Sequence, residues 1–482
     1  MPAYWRKNPI VDCRLSSKGT GLRSCPLVCP TLVLALMVGV QATAIAVALS
    51  SEKLTTNVAT AAVDRAPGLA ALASEQISQA APAVINIMPS RYRGLSDALW
   101  GYQKTHVWLV GFNGTSFSPA GAPDDLGSFY LIPRIAVLFN VPLDRAIDGF
   151  YLSILAIGLV SGAVGLWLSL NTNLGRGAAL IWVLVVALWA CRAGDVYIVS
   201  AAVPLAAVPW LMWVMKKGAE GFLLPLLLLV EGLAAGIAHT IRSQSTTALL
   251  IFTVCLLLFY ITIPAKRKVL LVMVLIAGFL VPQLCLRAIV AKRDAFLEAA
   301  SPGRTEFANR HVLWHNVYIG FGFLANQYVP AYDDSLAIAR VEKVASGVAF
   351  GSVEYERVLR TEVFELLRHH PVLVATTLAA KAGVMLCLFL AVVNVGLLAA
   401  VRYPKRWPVE LGFWFAIAFS SLPGLLVMPS STGYTLGFVT FSSLYAITST
   451  DFALSMVGGR DLEFLRHRVG SSGRFALSPP PQ

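Results

Sequence analysis

The chain has 482 residues, of which 57% are hydrophobic and only 13% are charged. A water-soluble protein of this length needs more charge on its surface, so the composition excludes a soluble globular protein and predicts a polytopic membrane protein. The formal net charge of +12 does not indicate nucleic-acid binding, because lysine and arginine collect in the cytoplasmic loops of membrane proteins during insertion.

Ten apolar stretches approach or exceed the roughly 20 residues of helix that cross a hydrocarbon core. They cover residues 27–50, 146–170, 178–193, 196–215, 221–240, 246–264, 269–290, 371–401, 409–428 and 433–450. Lysine and arginine are enriched in alternate short loops, which predicts that both termini are cytoplasmic. The two long connections, 51–145 and 291–370, are then extracytoplasmic.

The predicted fold is therefore an all-α polytopic membrane protein with about ten transmembrane helices and two extracytoplasmic loop regions that contain short interfacial helices. Residues 1–26 form a basic cytoplasmic N-terminus, residues 27–450 form the transmembrane domain, and residues 451–482 form a cytoplasmic tail. The end of that tail is rich in Ser, Gly and Pro, which is typical of disorder. Seven scattered cysteines without a CxxC motif indicate small apolar side chains rather than a disulfide or metal set.

The first long loop contains the stretch "PDDLGSFYLIPRIAVLFN" at residues 123–140. Its apolar side chains at Phe129, Ile132, Ala136 and Phe139 share one helical face, which predicts a short helix in the membrane interface. Asp124 and Asp125 come directly before this helix. A carboxylate at that depth can act as a general base on an acceptor hydroxyl or coordinate a cation. The alternative is that the acidic pair caps the helix N-terminus.

Basic residues near the predicted outer ends of the spans are candidates for binding a phosphate. Arg242 lies between the fifth and sixth spans beside His239, and a guanidinium suits a phosphate through bidentate donors. The alternative is an arginine that snorkels to the interface. Lys381 and Glu231 fall inside predicted spans, where ionisable groups indicate function by default, although the two could instead pair with each other. Asp195 follows the third span, where it either ends that helix or lines the same cavity.

The second long loop contains a polar and aromatic stretch at residues 310–335. His311 and His315 are four residues apart, a spacing that metals use on a helix, but no third ligand is evident. Aromatic rings here are also suited to stacking on a sugar, and the alternative is an interfacial aromatic belt with core packing. The candidate substrate-binding residues of this loop are His311, Trp314, His315, Tyr318, Asp333 and Asp334, and Asp195 is added to them from the first half of the chain.

Residues 353–371 read "VEYERVLRTEVFELLRHHP" and predict an amphipathic helix before the eighth span. Its apolar face holds Tyr355, Val358, Leu359, Val363 and Leu366. A Glu356–Arg360 pair at i,i+4 is expected on the opposite face. The second loop region is therefore predicted to fold back onto the membrane surface.

This layout resembles GT-C-fold glycosyltransferases, in particular protein O-mannosyltransferases and lipid A aminoarabinose transferases. The resemblance is carried by a large first outer loop with the acidic "PDDLGSFYLIP", by short turns, and by a second large outer loop between the seventh and eighth spans. It covers most of residues 27–450 as architecture. The chain differs from the mannosyltransferase pattern in having Asp-Asp where Asp-Glu is usual, and in lacking a soluble insertion domain in the second loop.

The resemblance implies an inverting transferase that takes a sugar from a polyprenyl-phosphate carrier. Either Asp124 or Asp125 would be the catalytic base, with Asp125 slightly favoured because it lies nearer the helix start, and Arg242, with His239 and Lys381, would hold the carrier phosphate. The acceptor would be an extracytoplasmic glycan, lipid or protein of the cell envelope. The expected location is a plasma membrane, most simply a bacterial inner membrane, with the active site facing the periplasm or exterior. No resident metal or cofactor is predicted, and a divalent cation at the acidic pair is kept as an alternative.

Two other functions are compatible with parts of the pattern. A transporter or flippase of an envelope precursor would explain ten spans and the ionisable groups within them, but not two long aromatic-rich loops on one side. A non-catalytic assembly subunit of an envelope machine is the third interpretation. A transferase should have an outward cavity lined by the acidic pair and Arg242 and open to lipid, whereas a transporter should have a central path.

Overall fold

A computed structural model describes residues 85, 87–121, 124–217, 221–300 and 312–472, with side chains to residue 458. The helices are α1 (Pro89–Thr105), α2 (Leu126–Phe139), α3 (Leu143–Ser169), α4 (Asn173–Ala193), α5 (Val199–Lys216), α6 (Leu223–Ile241), α7 (Thr247–Cys255), α8 (Ala265–Ala300), α9 (Leu313–Gly320), α10 (Asp334–Val344), α11 (Val353–His369), α12 (Pro371–Arg402), α13 (Trp407–Leu426) and α14 (Thr432–Ser472). Strands β1 (Val110–Phe112) and β2 (Phe117–Pro119) form an antiparallel hairpin in which Val110 pairs with Pro119.

Within the described ranges, seven helices are long and apolar enough to cross a membrane: α3, α4, α5 with its preceding 3₁₀ turn (Asp195–Ile198), α6, α8, α12 and α13. Each corresponds to one of the ten predicted stretches, so the predicted helical fold with several helices long and apolar enough to span a membrane is confirmed, whereas the predicted count of about ten is not. The predicted span at 27–50 lies outside the described residues. The predicted span at 246–264 forms a shorter apolar segment, Thr247–Tyr260, that ends in a π-helical turn.

The predicted span at 433–450 becomes the central helix of the bundle. Every side chain of α14 from Phe438 to Asp451 is buried, and the helix packs against α4, α5, α12 and α13. Its many Ser, Thr, Ala and Gly residues lower its hydropathy but let neighbouring helices come close. At Gly396 of α12, an added Cβ would lie 2.5 Å from the Cα of Ala446, so this contact requires glycine. Hydroxyls such as that of Thr440 donate to the carbonyl four residues back, at 2.9 Å from Leu436 O.

Helices α6 and α8 also touch backbone to backbone. An added Cβ at Gly232 would lie 2.4 Å from the carbonyl oxygen of Leu275, and one at Gly236 would lie 2.4 Å from that of Phe279. Small residues at such positions allow the two helix axes to approach closely. This packing sets the distance between the ends of α6 and α8 that border the candidate site.

The middle of α14 is tied to the turn between α3 and α4 by a buried carboxylate. Asp451 accepts hydrogen bonds from the backbone N–H groups of Asn171 and Thr172, both at 2.9 Å, and from the Thr172 hydroxyl at 2.8 Å. With a fourth hydrogen bond from Asn171 Nδ2 at 2.9 Å, the carboxylate accepts from four fixed donors, which satisfies a buried charge. The candidate functional site lies at the opposite end of the bundle.

At that end, α1, the β-hairpin and α2 form the first loop region. The predicted short helix is present, with Phe129, Ile132 and Ala136 of its apolar face buried and Arg134 exposed. Phe139, the last residue of that face, is 67% exposed. The helix ends at Phe139, and Asn140 turns the chain away in a left-handed conformation with φ 50°, so the apolar face does not continue to the last residue.

The second loop region, α9 to α11, has its own small hydrophobic core. The buried face of α11 consists of the five predicted residues: Tyr355, Val358, Leu359, Val363 and Leu366. The predicted Glu356–Arg360 pair is replaced by a different contact. The Glu356 carboxylate accepts hydrogen bonds from the backbone N–H groups of Trp314 at 2.9 Å and His315 at 3.3 Å. These are free donors at the N-terminus of α9, where a carboxylate is favoured by hydrogen bonding and by the helix dipole.

Candidate functional site

The acidic pair of the first loop region is buried where α2 begins. Asp125 occupies the N-cap position, and its backbone carbonyl accepts from Ser128 N at 2.9 Å, but its side chain makes no capping hydrogen bond. The side chain is fully buried and contacts two arginines instead. The N-cap alternative is therefore correct for the backbone position of Asp125 and wrong for the use of its carboxylate.

The first of these arginines is Arg91 in α1. Its Nε and Nη2 donate to Asp125 Oδ2 at 3.0 and 2.6 Å, and its Nη1 donates to Asp195. Burial disfavours the charged guanidinium, but the carboxylates of Asp125 and Asp195 outweigh that effect, so the pKa of Arg91 lies above its ordinary value. Sequence reasoning missed Arg91, because nothing in the surrounding "SRYRGLSDAL" distinguishes it from a solvated helix arginine.

Asp195 does not simply end α4. It starts the 3₁₀ turn before α5 and has φ 53°, directly after Gly194 with φ 59°. A non-glycine residue in the left-handed region carries strain that the surrounding structure must hold in place, and such residues are concentrated at functional sites. The conformation directs the Asp195 carboxylate to Arg91. The predicted place in a cavity lining is not seen, because Asp195 lines neither cavity of this site; its carboxylate belongs to the charge network of Arg91 instead.

Arg242 follows the last residue of α6 in an extended conformation. Its Nη1 lies 3.1 Å from Asp125 Oδ1 and 3.7 Å from Asp124 Oδ2, and its guanidinium lies 4.9 Å from the ring centre of Tyr197. Burial would lower the pKa of Arg242, but Tyr197 and the two aspartates outweigh it, so the pKa is raised. Asp125 thus contacts both guanidinium groups. Of these two arginines, Asp124 contacts Arg242, and at the longer distance.

Arg242 lines a cavity of about 360 Å³, here called cavity 1. The cavity is also lined by hydroxyl and amide side chains from the turn between α6 and α7 and from α9, including Ser243, Gln244 and Asn316. Phe419, Leu422 and Leu426 of α13 line it among other apolar residues. These three α13 side chains are exposed on the outside of the bundle. Cavity 1 therefore extends from a polar part with the cationic Arg242, here called the polar pole, to apolar side chains on the outer surface of the bundle.

A second cavity of about 400 Å³, here called cavity 2, lies between the ends of α6 and α8. It is lined by Asp124, His239, Thr240, Ser243, Gln283, Leu286, Arg287, Val290, Ala291 and Asp294. Ser243 lines both cavities, and its backbone N–H donates to the Asp124 carbonyl at 3.0 Å. The single cavity expected for a transferase is thus divided in two, with Arg242 on one side and Asp124 with His239 on the other.

Tyrosines surround the polar pole of cavity 1. Tyr197 and Tyr434 meet edge to face, with ring centres 5.6 Å apart. Tyr332 of the second loop region hydrogen-bonds to Tyr434, and burial raises the pKa of Tyr332 to about 12. Tyr332 is therefore neutral at physiological pH, and the three phenols offer hydrogen-bond donors and stacking faces.

Lys381 and Glu231 do not pair with each other. Lys381 Nζ donates to the carbonyl oxygens of Leu426 at 3.2 Å and Val427 at 2.9 Å, behind the wall of cavity 1. Glu231 accepts a hydrogen bond from the Thr253 hydroxyl, which connects α6 to α7. Lys381 thus contacts the backbone behind cavity 1 and not its interior. The carbonyl groups at the C-terminal end of α13 have no partner within that helix, and they accept hydrogen bonds from the ammonium group of Lys381.

The second loop region uses most of its candidate residues internally. Within cavities 1 and 2, this region contributes Leu313 and Asn316 but not Trp314, His315, Tyr318, Asp333 or Asp334. Trp314 packs on Phe364, and Tyr318 belongs to the local core. Asp333 caps α10 by accepting from Ser335 N at 2.8 Å. His311 lies outside the described residues.

His315 is buried between two partners from its own region. Its Nδ1 lies 2.8 Å from the Tyr355 hydroxyl and its Nε2 lies 3.1 Å from Asp334 Oδ1. A hydrogen bond from His315 lowers the pKa of Asp334. Both ring nitrogens are thereby used in holding α9 to α10 and α11. In the part of the chain that the structure describes, no group of three or more potential His, Cys, Asp or Glu ligands forms a metal site.

Comparison of the chain with protein-family models, with curated proteins and with solved structures finds no match.

Proposed function

We propose that this membrane protein is an inverting glycosyltransferase that moves a sugar from a polyprenyl-phosphate donor to an extracytoplasmic glycan, lipid or protein acceptor. The observation that carries the proposal is cavity 1, which joins the guanidinium of Arg242 to the lipid-facing side chains of α13. A lipid-linked phosphate needs these two features together: a cation for its head and an apolar path for its chain. The resemblance to GT-C glycosyltransferases described above leads to the same function.

The contacts of Arg242 leave room for a phosphate. Its contacts with Asp124 and Asp125 are made through Nη1, and the remaining guanidinium donors are suited to a bidentate phosphate contact. Asp125, held by both Arg91 and Arg242, fixes the guanidinium in place. Preorganised charge of this kind stabilises a departing phosphate without reorganisation during the reaction.

Asp124 is the favoured catalytic base. Asp125 is fully buried between two guanidinium groups, which contact both of its carboxylate oxygens, and it lines neither cavity. Asp124 has the longer contact with Arg242, at 3.7 Å, and lines cavity 2. A phosphate bound at the remaining donors of Arg242 leaves Asp124 to face an acceptor in cavity 2.

The reaction then balances as follows. The acceptor hydroxyl transfers its proton to the Asp124 carboxylate while its oxygen bonds to the anomeric carbon of the sugar. The bond from that carbon to the phosphate oxygen breaks, and the polyprenyl phosphate leaves with the electron pair beside Arg242. Because the acceptor attacks one face of the anomeric carbon and the phosphate leaves from the other, the anomeric centre is inverted. This requires the acceptor and the donor to approach from different sides, and cavities 1 and 2 meet at Asp124, Arg242 and Ser243.

The filled centre of the bundle weighs against transport as the alternative function. Side chains from Phe438 to Asp451 of α14 are all buried among the surrounding helices. A substrate path through the described bundle would require this central helix to move. A transferase needs no such path, because both substrates approach from one end.

The test is a comparison of cells with and without the gene by mass spectrometry of lipid-linked sugars and envelope glycans. Loss of the gene should remove one glycan modification and leave one polyprenyl-phosphate sugar in excess. The wild-type gene should restore the modification, whereas the Asp124→Asn gene should not, although its protein is present in the membrane at the same level. Restoration by Asp124→Asn would contradict the proposed chemistry.

A further inference from the structure

Cavity 1 contains very little charge for a site that binds a substrate with a charged carrier. Among the twenty described residues that line it, Arg242 is the one charged side chain. Lys381 is close but directs its ammonium to the carbonyls of Leu426 and Val427, outside the cavity. Asp124 and Asp125 lie behind Arg242 and do not line cavity 1. The described lining of the cavity thus offers one positive charge and no negative charge.

The remaining polar groups of the cavity are neutral. The hydroxyl and amide side chains are Ser200, Ser243, Gln244, Ser245, Thr247, Asn316 and Ser420, together with the phenols of Tyr197 and Tyr434. The hydroxyls of Ser245 and Ser420 donate to the carbonyls of Ala238 and Ile417, at 3.1 and 3.0 Å. Each such hydroxyl still accepts a hydrogen bond, so the wall can receive the O–H groups of a polyol.

From this arrangement we infer that cavity 1 selects an uncharged sugar linked to its carrier through a single phosphate, and rejects amino sugars, uronic acids and diphosphate-linked sugars. The inference rests on the proposed function. Arg242 compensates one phosphate. A sugar ammonium would face that guanidinium without a carboxylate in the wall, and a sugar carboxylate or second phosphate would lack a cation. Desolvating an unpaired charge is costly, so each of these ligands is disfavoured.

Two glycines of α14 provide the space for the sugar. Gly433 and Gly437 both line cavity 1. An added Cβ at Gly433 would come within 2.7 Å of the Tyr197 ring, whereas one at Gly437 would lie 3.7 Å from Ser420 and 3.8 Å from Ser200. A small side chain therefore fits at Gly437, and a larger one would extend into the cavity. This position allows the cavity to be filled without removing any polar contact.

The experiment measures binding to the full chain in lipid nanodiscs. The ligands are a short-chain polyprenyl phosphate alone, the same carrier with glucose, with glucosamine and with glucuronic acid, and the glucose compound with a diphosphate link. The neutral monophosphate sugar should bind at least about tenfold more tightly than each of the three other sugar-linked compounds. Equal affinity for any charged sugar or for the diphosphate would overturn the inference while leaving the proposed function intact. Failure of every compound, including the free polyprenyl phosphate, would instead overturn the proposed function.

The Gly437→Leu variant locates the site. It should bind the neutral sugar donor at least about tenfold more weakly than the wild type and lose the discrimination between neutral and charged sugars. Gly149→Leu is the matched control, because an added Cβ at Gly149 meets nothing within 4 Å, and this exposed α3 variant should bind like the wild type. Thermal unfolding of both variants verifies that the fold is retained. Wild-type selectivity in a folded Gly437→Leu protein would show that the sugar binds elsewhere.

Discussion

The two loop regions lie at the same end of the bundle but use their charged residues in opposite ways. The first region places Arg91 and Asp125 against residues from the helical bundle, so that Asp125 joins Arg91 to Arg242 and Arg91 also reaches Asp195. The second region satisfies His315, Asp333 and Glu356 with partners from its own helices. Residues that connect a loop to the bundle are therefore better candidates for function than residues that stabilise the loop itself.

The largest expected effect is a loss of stability, which tests this difference between the two loop regions. Asp125→Asn leaves two buried guanidinium groups without their shared carboxylate, and breaking a buried pair in this way costs about 3–5 kcal/mol. The matched change in the second region is Glu362→Gln, which removes a half-exposed pair with Arg340 at 2.8 Å. Such pairs contribute about 1 kcal/mol or less. Chemical unfolding of the purified variants in detergent measures the free energy of unfolding of each. Similar losses of stability in the two variants would contradict the difference between the two loop regions.

The next effect is on turnover. Asp124→Asn keeps the size of the side chain but removes the basic oxygen, so sugar transfer should fall roughly 100-fold or more, since positioned acid–base groups contribute 10²–10⁴. Asp333→Asn is the control in the second region, because asparagine caps a helix about as well as aspartate. It should transfer sugar within a few-fold of the wild type. An Asp124→Asn enzyme with near wild-type turnover would remove Asp124 from the mechanism.

The affinity for the sugar donor distinguishes the contribution of the positive charge of Arg242 from that of its planar guanidinium geometry. Arg242→Ala should weaken binding of a short-chain polyprenyl-phosphate sugar about tenfold or more, because hydrogen bonds to charged groups contribute about 1.5–3 kcal/mol. Arg242→Lys keeps the charge but loses the planar fork, so affinity should recover only in part. Arg357→Ala, on the exposed face of α11, is the control and should not change affinity. Equal donor affinity in all four proteins would rule out Arg242 as the phosphate ligand.

The smallest expected effect is the pH dependence of the second loop region. The hydrogen bond from His315 lowers the pKa of Asp334 below the ordinary value of about 3.9. Its stabilising contribution is therefore complete above that ordinary value and is lost as the pH falls through the lowered one. The Asp334 side chain is 75% exposed, so solvent screening keeps the effect small. Thermal unfolding at acidic pH should show a slightly steeper loss for the wild type than for Asp334→Asn, and identical pH profiles would exclude this contribution.

The sequence by itself determined the elements whose pattern is local. Seven of the predicted spans coincide with long apolar helices, and the buried face of α11 contains the five expected residues from Tyr355 to Leu366. Hydrophobic runs and helical periodicity depend on neighbours a few residues apart, so no knowledge of tertiary packing is needed to identify them. The acidic pair was also identified beside α2 for this reason.

Only the tertiary structure decided which charged groups meet. Asp125 contacts Arg91 and Arg242, which are 34 and 117 residues away, and Arg91 contacts Asp195 across 104 residues. The alternative of a Glu231–Lys381 pair is not seen among the described contacts, because each side chain has a nearer uncharged partner. In the same way, α14 takes the central position because its small and hydroxyl-bearing residues pack against four helices at once. Such contacts arise from how complete helices pack, and no local sequence pattern carries that information.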